Sequence, residues 1–147
     1  MITKVLVAYD GSECANRALN FGLDLSEKCG ASVHILNVFQ MPVYGSPDDP
    51  LAASASTAAY AKDLRKVHEE ALAKAAKTAA ALKPAVKVTT ELRDGSPPAQ
   101  IVAAASEGKF DLIVLGHGGE GRLREFFLGG TSERVAHLAR CAVLIVK

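Results

Sequence analysis

The most informative segment of the chain is Phe110-Asp111-Leu112-Ile113-Val114-Leu115-Gly116-His117-Gly118-Gly119, in which the apolar run 112–115 leads into a glycine-rich turn. An uninterrupted apolar run is typical of a strand buried on both faces, as in a parallel sheet. Runs of the same kind occupy residues 4–9, 32–38 and 142–146. A weaker run over 86–92 alternates apolar and polar residues, which predicts a half-exposed edge strand.

Helical patterns separate these runs. Ser12 can cap a first helix that Gly30 ends, and apolar residues in steps of three and four predict a long helix over 57–83. Two shorter helices are predicted over 97–108 and 130–139. Because strands and helices alternate along the chain, the sequence predicts an α/β protein with a parallel sheet.

One segment departs from this alternation. Residues 40–56 carry three prolines, one glycine and three serines. A loop of this length indicates either a functional lid or a tolerated surface insertion. The chain shows no internal repeat and no linker, so we expect a single domain over residues 1–147.

Composition narrows the class of protein. There are 17 Lys and Arg against 16 Asp and Glu, which gives no electrostatic argument for a nucleic-acid partner. No apolar run approaches the ~18 residues of a membrane helix, and the first residues lack the layout of a signal peptide. The three cysteines are scattered, without a metal or redox pair. We therefore expect a cytoplasmic protein without membrane insertion.

Glycines follow the fourth apolar run and precede the last helix. Such glycines let backbone N–H groups approach an anion, although a tight turn alone would also require them. Gly116, Gly118 and Gly121 match the spacing of a dinucleotide fingerprint, but that fingerprint needs an acidic residue about 20 positions on. Here the following strand ends in Val146-Lys147, which argues against a dinucleotide site. The phosphate-loop motif of nucleoside triphosphatases is also excluded, because Arg122 follows Gly121 where that motif has lysine.

The spacing Gly116-x-x-Gly119, nine residues, Gly129, together with Asp10 after the first strand, resembles the nucleotide-binding branch of the universal stress protein family. The similarity extends along the chain through four segments: 4–12, 93–97, 110–119 and 128–146. This resemblance implies a Rossmann-like open sheet of five parallel strands in the order 3-2-1-4-5, with helices on both faces. Ligands of such sheets bind outside the carboxyl ends of the strands where the connections diverge, here between strands one and four.

The resemblance also implies a set of binding residues for ATP, ADP or AMP, with or without Mg²⁺. The residues at the ends of strands one and two would contact the nucleoside and the adenine edge: Ala8, Tyr9, Asp10 and Val38. The residues around the phosphates would be Gly116, His117, Gly119, Gly129, Gly130, Thr131 and Ser132. Two alternatives stay open, since Asp10 can be a turn carboxylate near Ser12 and His117 can be a solvent-facing turn residue.

The sequence departs from the family pattern at Gly130, where the pattern has Ser or Thr. Thr131 or Ser132 could supply the missing hydroxyl. The resemblance implies a stress-response sensor or regulator. We expect at most slow hydrolysis, because the sequence shows no nucleophilic triad, no convincing general base and no paired metal carboxylates. One alternative is a family member without nucleotide that works as a protein-interaction module. A second is an adenylate-forming enzyme of the related α-hydrolase superfamily, which the short chain argues against.

The last strand, residues 142–146, is apolar throughout and would lie at a sheet edge in this order. Natural edge strands are normally interrupted by charge, proline or a bulge, and none occurs here before Lys147. We therefore expect a homodimer in which two copies of this strand pair about a two-fold axis. The alternative is that residues 40–56 cover the edge.

Overall fold

The computed structural model describes residues 1–41, 55–118 and 130–147. Within these ranges five strands alternate with four helices, in agreement with the predicted α/β class. The elements in chain order are β1 Lys4–Ala8, α1 Glu13–Cys29, β2 Ser32–Phe39, α2 Ala55–Leu82, β3 Val88–Asp94, α3 Pro97–Glu107, β4 Leu112–Gly116, α4 Gly130–Leu138 and β5 Ala142–Val146.

The five strands form one parallel sheet in the order β3-β2-β1-β4-β5, which confirms the predicted topology. β1 lies at the centre, where Val5 pairs with Val33 of β2 on one side and with Leu112 of β4 on the other. The connections from β1 and β4 therefore leave in opposite directions along the sheet. This divergence opens the crevice that the strand order predicts.

Apolar layers cover both faces of the sheet, which explains why the strand sequences are continuously apolar. Val5, Val7 and Ile35 are fully buried beneath α1 and α2. On the opposite face, Leu6 and Ile113 are fully buried beneath α3 and α4. Side chains alternate between the faces, so a strand buried on both must be apolar at every position.

Local signals fix the ends of α1. The Ser12 hydroxyl accepts a hydrogen bond from the Ala15 N–H at 3.1 Å, as an N-cap does. Gly30 ends the helix in the left-handed conformation, with φ 68°, which glycine adopts without strain. Both ends of this helix agree with the sequence prediction.

Two elements, β3 and α2, differ from the prediction by two residues at one end or both. β3 begins two residues late, because the N–H of Val86 bonds to the Lys83 carbonyl in a turn instead of joining the ladder. It then continues to Asp94, which pairs with Phe39. α2 begins at Ala55, inside the segment 40–56 predicted as a loop. Residues 42–54 of that segment lie outside the described residues.

The two edges of the sheet differ in character. On β3, Glu91 accepts from His34 at 3.0 Å and from Arg93 at 2.7 Å, and Arg93 also bonds to Glu107 of α3 at 2.7 Å. Burial alone would raise the pKa of Glu91, but the hydrogen bonds from Arg93 and His34 outweigh it and lower this pKa. β5 instead presents half-buried aliphatic side chains over residues 143–146. No helix among the described residues is long and apolar enough to cross a bilayer.

Candidate functional site

A cleft of about 1010 Å³ lies at the carboxyl end of the sheet, where the connections from β1 and β4 diverge. This volume is at the upper end of the range of small-molecule sites. The structure brings most of the sequence-predicted binding residues to its lining: Ala8, Tyr9, Asp10, Val38, Gly116, Gly130, Thr131 and Ser132. Two further predicted residues, Gly119 and Gly129, lie outside the described residues.

The base of the cleft depends on a close backbone approach at Gly116. A Cβ at this position would lie 2.8 Å from both the carbonyl carbon and the Cβ of Cys14. Only glycine therefore lets the first turn of α1 rest against the end of β4. Two residues later, Gly118 has φ 78°, a conformation that side chains other than glycine rarely adopt.

Asp10 lies just beyond β1 with its side chain exposed at the cleft. Its Oδ1 accepts a hydrogen bond from the Ser12 N–H at 2.9 Å, which is the turn interaction that the sequence left open. The intervening Gly11 has φ 87°, which allows this tight turn. The carboxylate is thus held in place at the lining of the cleft.

Tyr9 lies in the lining of the cleft, and its contact with a nucleoside stays a prediction. Its ring is 7% exposed within the layer beneath α1 and α2, and its hydroxyl donates to Asn16 Oδ1 at 2.9 Å. Burial, followed by the negative charge of Asp10, raises the pKa of the Tyr9 phenol. The ring therefore supports the floor of the cleft, next to Asp10.

His117, the remaining predicted residue, is not among the lining residues of the cleft but connects three elements beside it. Its N–H donates to the Val146 carbonyl of β5 at 2.8 Å, and its own carbonyl accepts from the Ser132 hydroxyl of α4 at 2.9 Å. Its ring Nδ1 lies 3.9 Å from Cys14 Sγ of α1. The side chain is half-buried. Its two sequence interpretations, phosphate donor and solvent-facing turn residue, both stay predictions.

The amino terminus of α4 forms the opposite wall. Gly130 is its first residue, and a Cβ there would meet nothing within 4 Å. Thr131 is exposed, whereas Ser132 is only 1% exposed. The first turn of a helix leaves backbone N–H groups without helical partners, and together with the helix dipole these groups suit an anion such as phosphate.

Charged side chains near α1 are partly paired with one another. Arg17 contacts Glu13 at 3.2 Å, and its second nitrogen donates to Cys14 Sγ at 3.0 Å. In the part of the chain that the structure describes, no group of three or more His, Cys, Asp or Glu is arranged to hold a metal ion. Among the groups that the lining offers a ligand are the Asp10 and Glu13 carboxylates, the Thr131 hydroxyl, backbone N–H groups and apolar surface.

Sequence analysis gave no binding role to several residues of this lining, among them Pro97, Ile101 and Cys14. Pro97 and Ile101, one turn apart on α3, form an apolar part of the wall. Their spacing of four residues on a predicted helix indicated a shared face, but not which end of the sheet it would meet. The sequence showed Cys14 only as one of three scattered cysteines, whereas in the structure its sulfur contacts Arg17 and lies near His117.

Comparison with known proteins agrees with this architecture. The family model of the universal stress protein family matches residues 1–147. A universal stress protein of Methanocaldococcus jannaschii is 33% identical over 144 residues, which cover 98% of this chain and 81% of the relative. The solved structure of universal stress protein UspA from Lactobacillus plantarum superposes with a TM-score of 0.75 at 27% identity, covering 99% of this chain and 98% of that chain.

A further solved structure is the universal stress protein from Archaeoglobus fulgidus in complex with dAMP. It superposes with a TM-score of 0.63 at 23% identity, covering 100% of this chain and 98% of that chain. At this identity the similarity establishes a shared fold. The match of the family model along the whole chain and the relative above 30% identity confirm the resemblance seen in the sequence: this chain belongs to the universal stress protein family.

Proposed function

We propose that this protein binds an adenine nucleotide in the cleft and acts as a sensor or regulator in a stress response. The observation that carries the proposal is that the Asp10 carboxylate and the amino terminus of α4 line one cleft at the divergence of β1 and β4. A carboxylate accepts hydrogen bonds from ribose hydroxyls, and a helix amino terminus attracts phosphate. The dAMP complex of the Archaeoglobus fulgidus protein supports an adenine nucleotide as the first ligand class to test.

We expect ATP, ADP or AMP as the ligand, and ATP is expected to bind with or without Mg²⁺. Mass spectrometry of the supernatant from heat-denatured purified protein identifies a nucleotide that copurifies. Thermal unfolding with each nucleotide then measures binding, since a ligand at 100 times its dissociation constant stabilises by about 2.7 kcal/mol. A melting temperature that no adenine nucleotide raises at millimolar concentration would contradict the proposal.

The alternative function, a protein-interaction module without nucleotide, is favoured by Gly130. This residue leaves the first position of α4 without the hydroxyl of the family pattern. The same unfolding experiment separates the two functions, because an interaction module gains no stability from nucleotide. Hydrolysis of ATP is expected to be slow in either case and is measured by release of inorganic phosphate.

We also propose that the protein is a cytoplasmic homodimer whose two copies pair through β5. The two edges of the sheet support this choice, since β3 carries ion-paired side chains and β5 carries half-buried aliphatic ones. Pairing would satisfy the open backbone groups of an uninterrupted edge. Leu144→Lys, placed in this strand, should yield a monomer by sedimentation velocity, whereas Thr89→Lys on the opposite edge should leave a dimer. A wild-type monomer at tens of micromolar contradicts the dimer.

A further inference from the structure

The buried hydroxyl of Ser132 is directed at a backbone carbonyl. Ser132 lies in the first turn of α4 and is 1% exposed. Its Oγ donates to the carbonyl of His117 at 2.9 Å, across fifteen residues of sequence. A serine hydroxyl has a single proton to donate, and an ionised phosphate oxygen can only accept a hydrogen bond. In this geometry Ser132 already donates its hydroxyl proton to the His117 carbonyl, so this proton is not directed at a phosphate.

The carbonyl that Ser132 holds belongs to a residue that is fixed on its other side as well. The His117 N–H donates to the Val146 carbonyl at 2.8 Å, which extends the β4–β5 ladder by one residue beyond Gly116. Both backbone polar groups of His117 are therefore bonded, one to β5 and one to α4. Such double attachment leaves little freedom to the peptide planes on either side of His117.

The position of His117 in turn affects two walls of the cleft. Its ring Nδ1 lies 3.9 Å from Cys14 Sγ in the first turn of α1, next to Gly116. The Ser132 bond also sets the distance between the end of β4 and the amino terminus of α4, because it joins these two elements directly. Groups that receive a ligand work best when neighbouring hydrogen bonds hold them in place before binding.

We propose that Ser132 is a positioning residue of the nucleotide site, which holds His117 and the α4 amino terminus in place and does not itself contact phosphate. The inference rests on the proposed nucleotide function. It differs from the sequence expectation, in which Ser132 lies among the residues that surround the phosphates. It also accounts for the burial of this serine beside an exposed threonine, Thr131.

The test compares Ser132→Ala with Thr131→Ala, a matched removal of a hydroxyl from the exposed neighbour. The carbonyl ¹³C resonance of His117 in the nucleotide-free protein reports whether that carbonyl accepts a hydrogen bond. We expect this resonance to move upfield in Ser132→Ala and to stay in place in Thr131→Ala. Titration calorimetry with AMP should show a loss of affinity of about tenfold for Ser132→Ala, because the end of β4 and the amino terminus of α4 are then no longer held in place before binding.

Ser132→Thr keeps the hydroxyl and should restore both the resonance and the affinity. If Ser132→Ala weakens AMP binding while the His117 resonance stays in place, the serine contacts the ligand directly and the proposal is wrong. If neither quantity changes, the proposal is also wrong. A wild-type protein that binds no AMP, ADP or ATP contradicts the proposed function. The spectra of the free protein then still decide whether Ser132 holds His117.

Discussion

Asp111 and Asp10 lie at opposite ends of the two central strands, and their carboxylates are used differently. Asp111 Oδ2, just before β4, accepts from the Thr3 N–H and the Thr3 hydroxyl at 2.8 Å and from the Lys4 N–H at 2.9 Å. Asp10, just after β1, accepts from Ser12 at 2.9 Å and lines the cleft. One carboxylate joins two strands, and the other is held at a surface where a ligand can reach it.

The wider comparison is between the amino and the carboxyl ends of the sheet. At the amino end, side chains complete the backbone hydrogen bonds of β1 and hold it to the start of β4. At the carboxyl end, glycines provide backbone without side chains. The backbone packs tightly against Cys14 at Gly116, whereas the space beside Gly130 is open. Substitutions should therefore act mainly on stability at the amino end, and mainly on binding at the carboxyl end, except at Gly116.

The largest expected effect is at this exception. Gly116→Ala places a methyl group 2.8 Å from backbone and side-chain atoms of Cys14 and should lower the free energy of unfolding by about 1–3 kcal/mol. Gly130→Ala is the matched control, since its methyl group meets nothing within 4 Å, and it should stay within about 0.5 kcal/mol of wild type. Urea unfolding measures both variants. Equal losses in the two variants would remove the distinction between tight and open glycines.

Asp111→Asn should produce the next largest effect, and this effect should depend on pH. Hydrogen bonds from the Thr3 backbone, the Thr3 hydroxyl and the Lys4 backbone lower the pKa of Asp111. Because the folded-state pKa lies below the unfolded one, the ionised carboxylate stabilises above the unfolded pKa of about 4. This stabilisation is lost as the pH falls through the folded-state pKa.

The variant should therefore melt below wild type at pH 7, and the gap should narrow as the pH falls below about 4. Asp63→Asn, which removes an exposed aspartate of α2, controls for the loss of one charge. A gap in melting temperature that stays constant from neutral to acidic pH would show that the Asp111 charge is not the cause.

Asp10→Asn should affect binding and leave stability unchanged. The amide oxygen of asparagine can still accept from the Ser12 N–H, so the turn is preserved. The charge that strengthens a hydrogen bond from ribose is lost, and affinity for AMP should fall about tenfold. Titration calorimetry and thermal unfolding measure the two quantities. Unchanged affinity with a lower melting temperature would make Asp10 a turn residue only.

Gly130→Ser should have the smallest effect, a rise of about threefold in the affinity for AMP, which is less than a full hydrogen bond contributes. The new side chain has room, because nothing lies within 4 Å of the position that its Cβ would take, and its hydroxyl adds a donor at the start of α4. Gly130→Ala adds the carbon without the hydroxyl and should bind like wild type. Equal gains from serine and alanine would show that the hydroxyl is not the source of the added affinity.

The sequence predicted the strands and helices because short-range patterns along the chain determine them. Continuous apolar runs identify doubly covered strands, and the Ser12 cap and Gly30 end α1. The strand order followed from the family resemblance, and it placed Asp10 and Gly116 at one crevice. The partners of Ser132 and Cys14 were not predictable, since each contacts a residue that is distant in sequence but brought near by the fold.

The central position of β1, between β2 and β4, has a consequence for the synthesis of the chain. Its partners emerge from the ribosome at very different times, since β2 begins at Ser32 and β4 only at Leu112. During synthesis, β1, β2 and β3 can pair while the other edge of β1 has no neighbour, although residues 5–7 of this strand are fully buried in the finished protein. Until β4 arrives, the nascent chain exposes an unpaired apolar strand, which is the kind of surface that chaperones shield and that aggregates when unprotected.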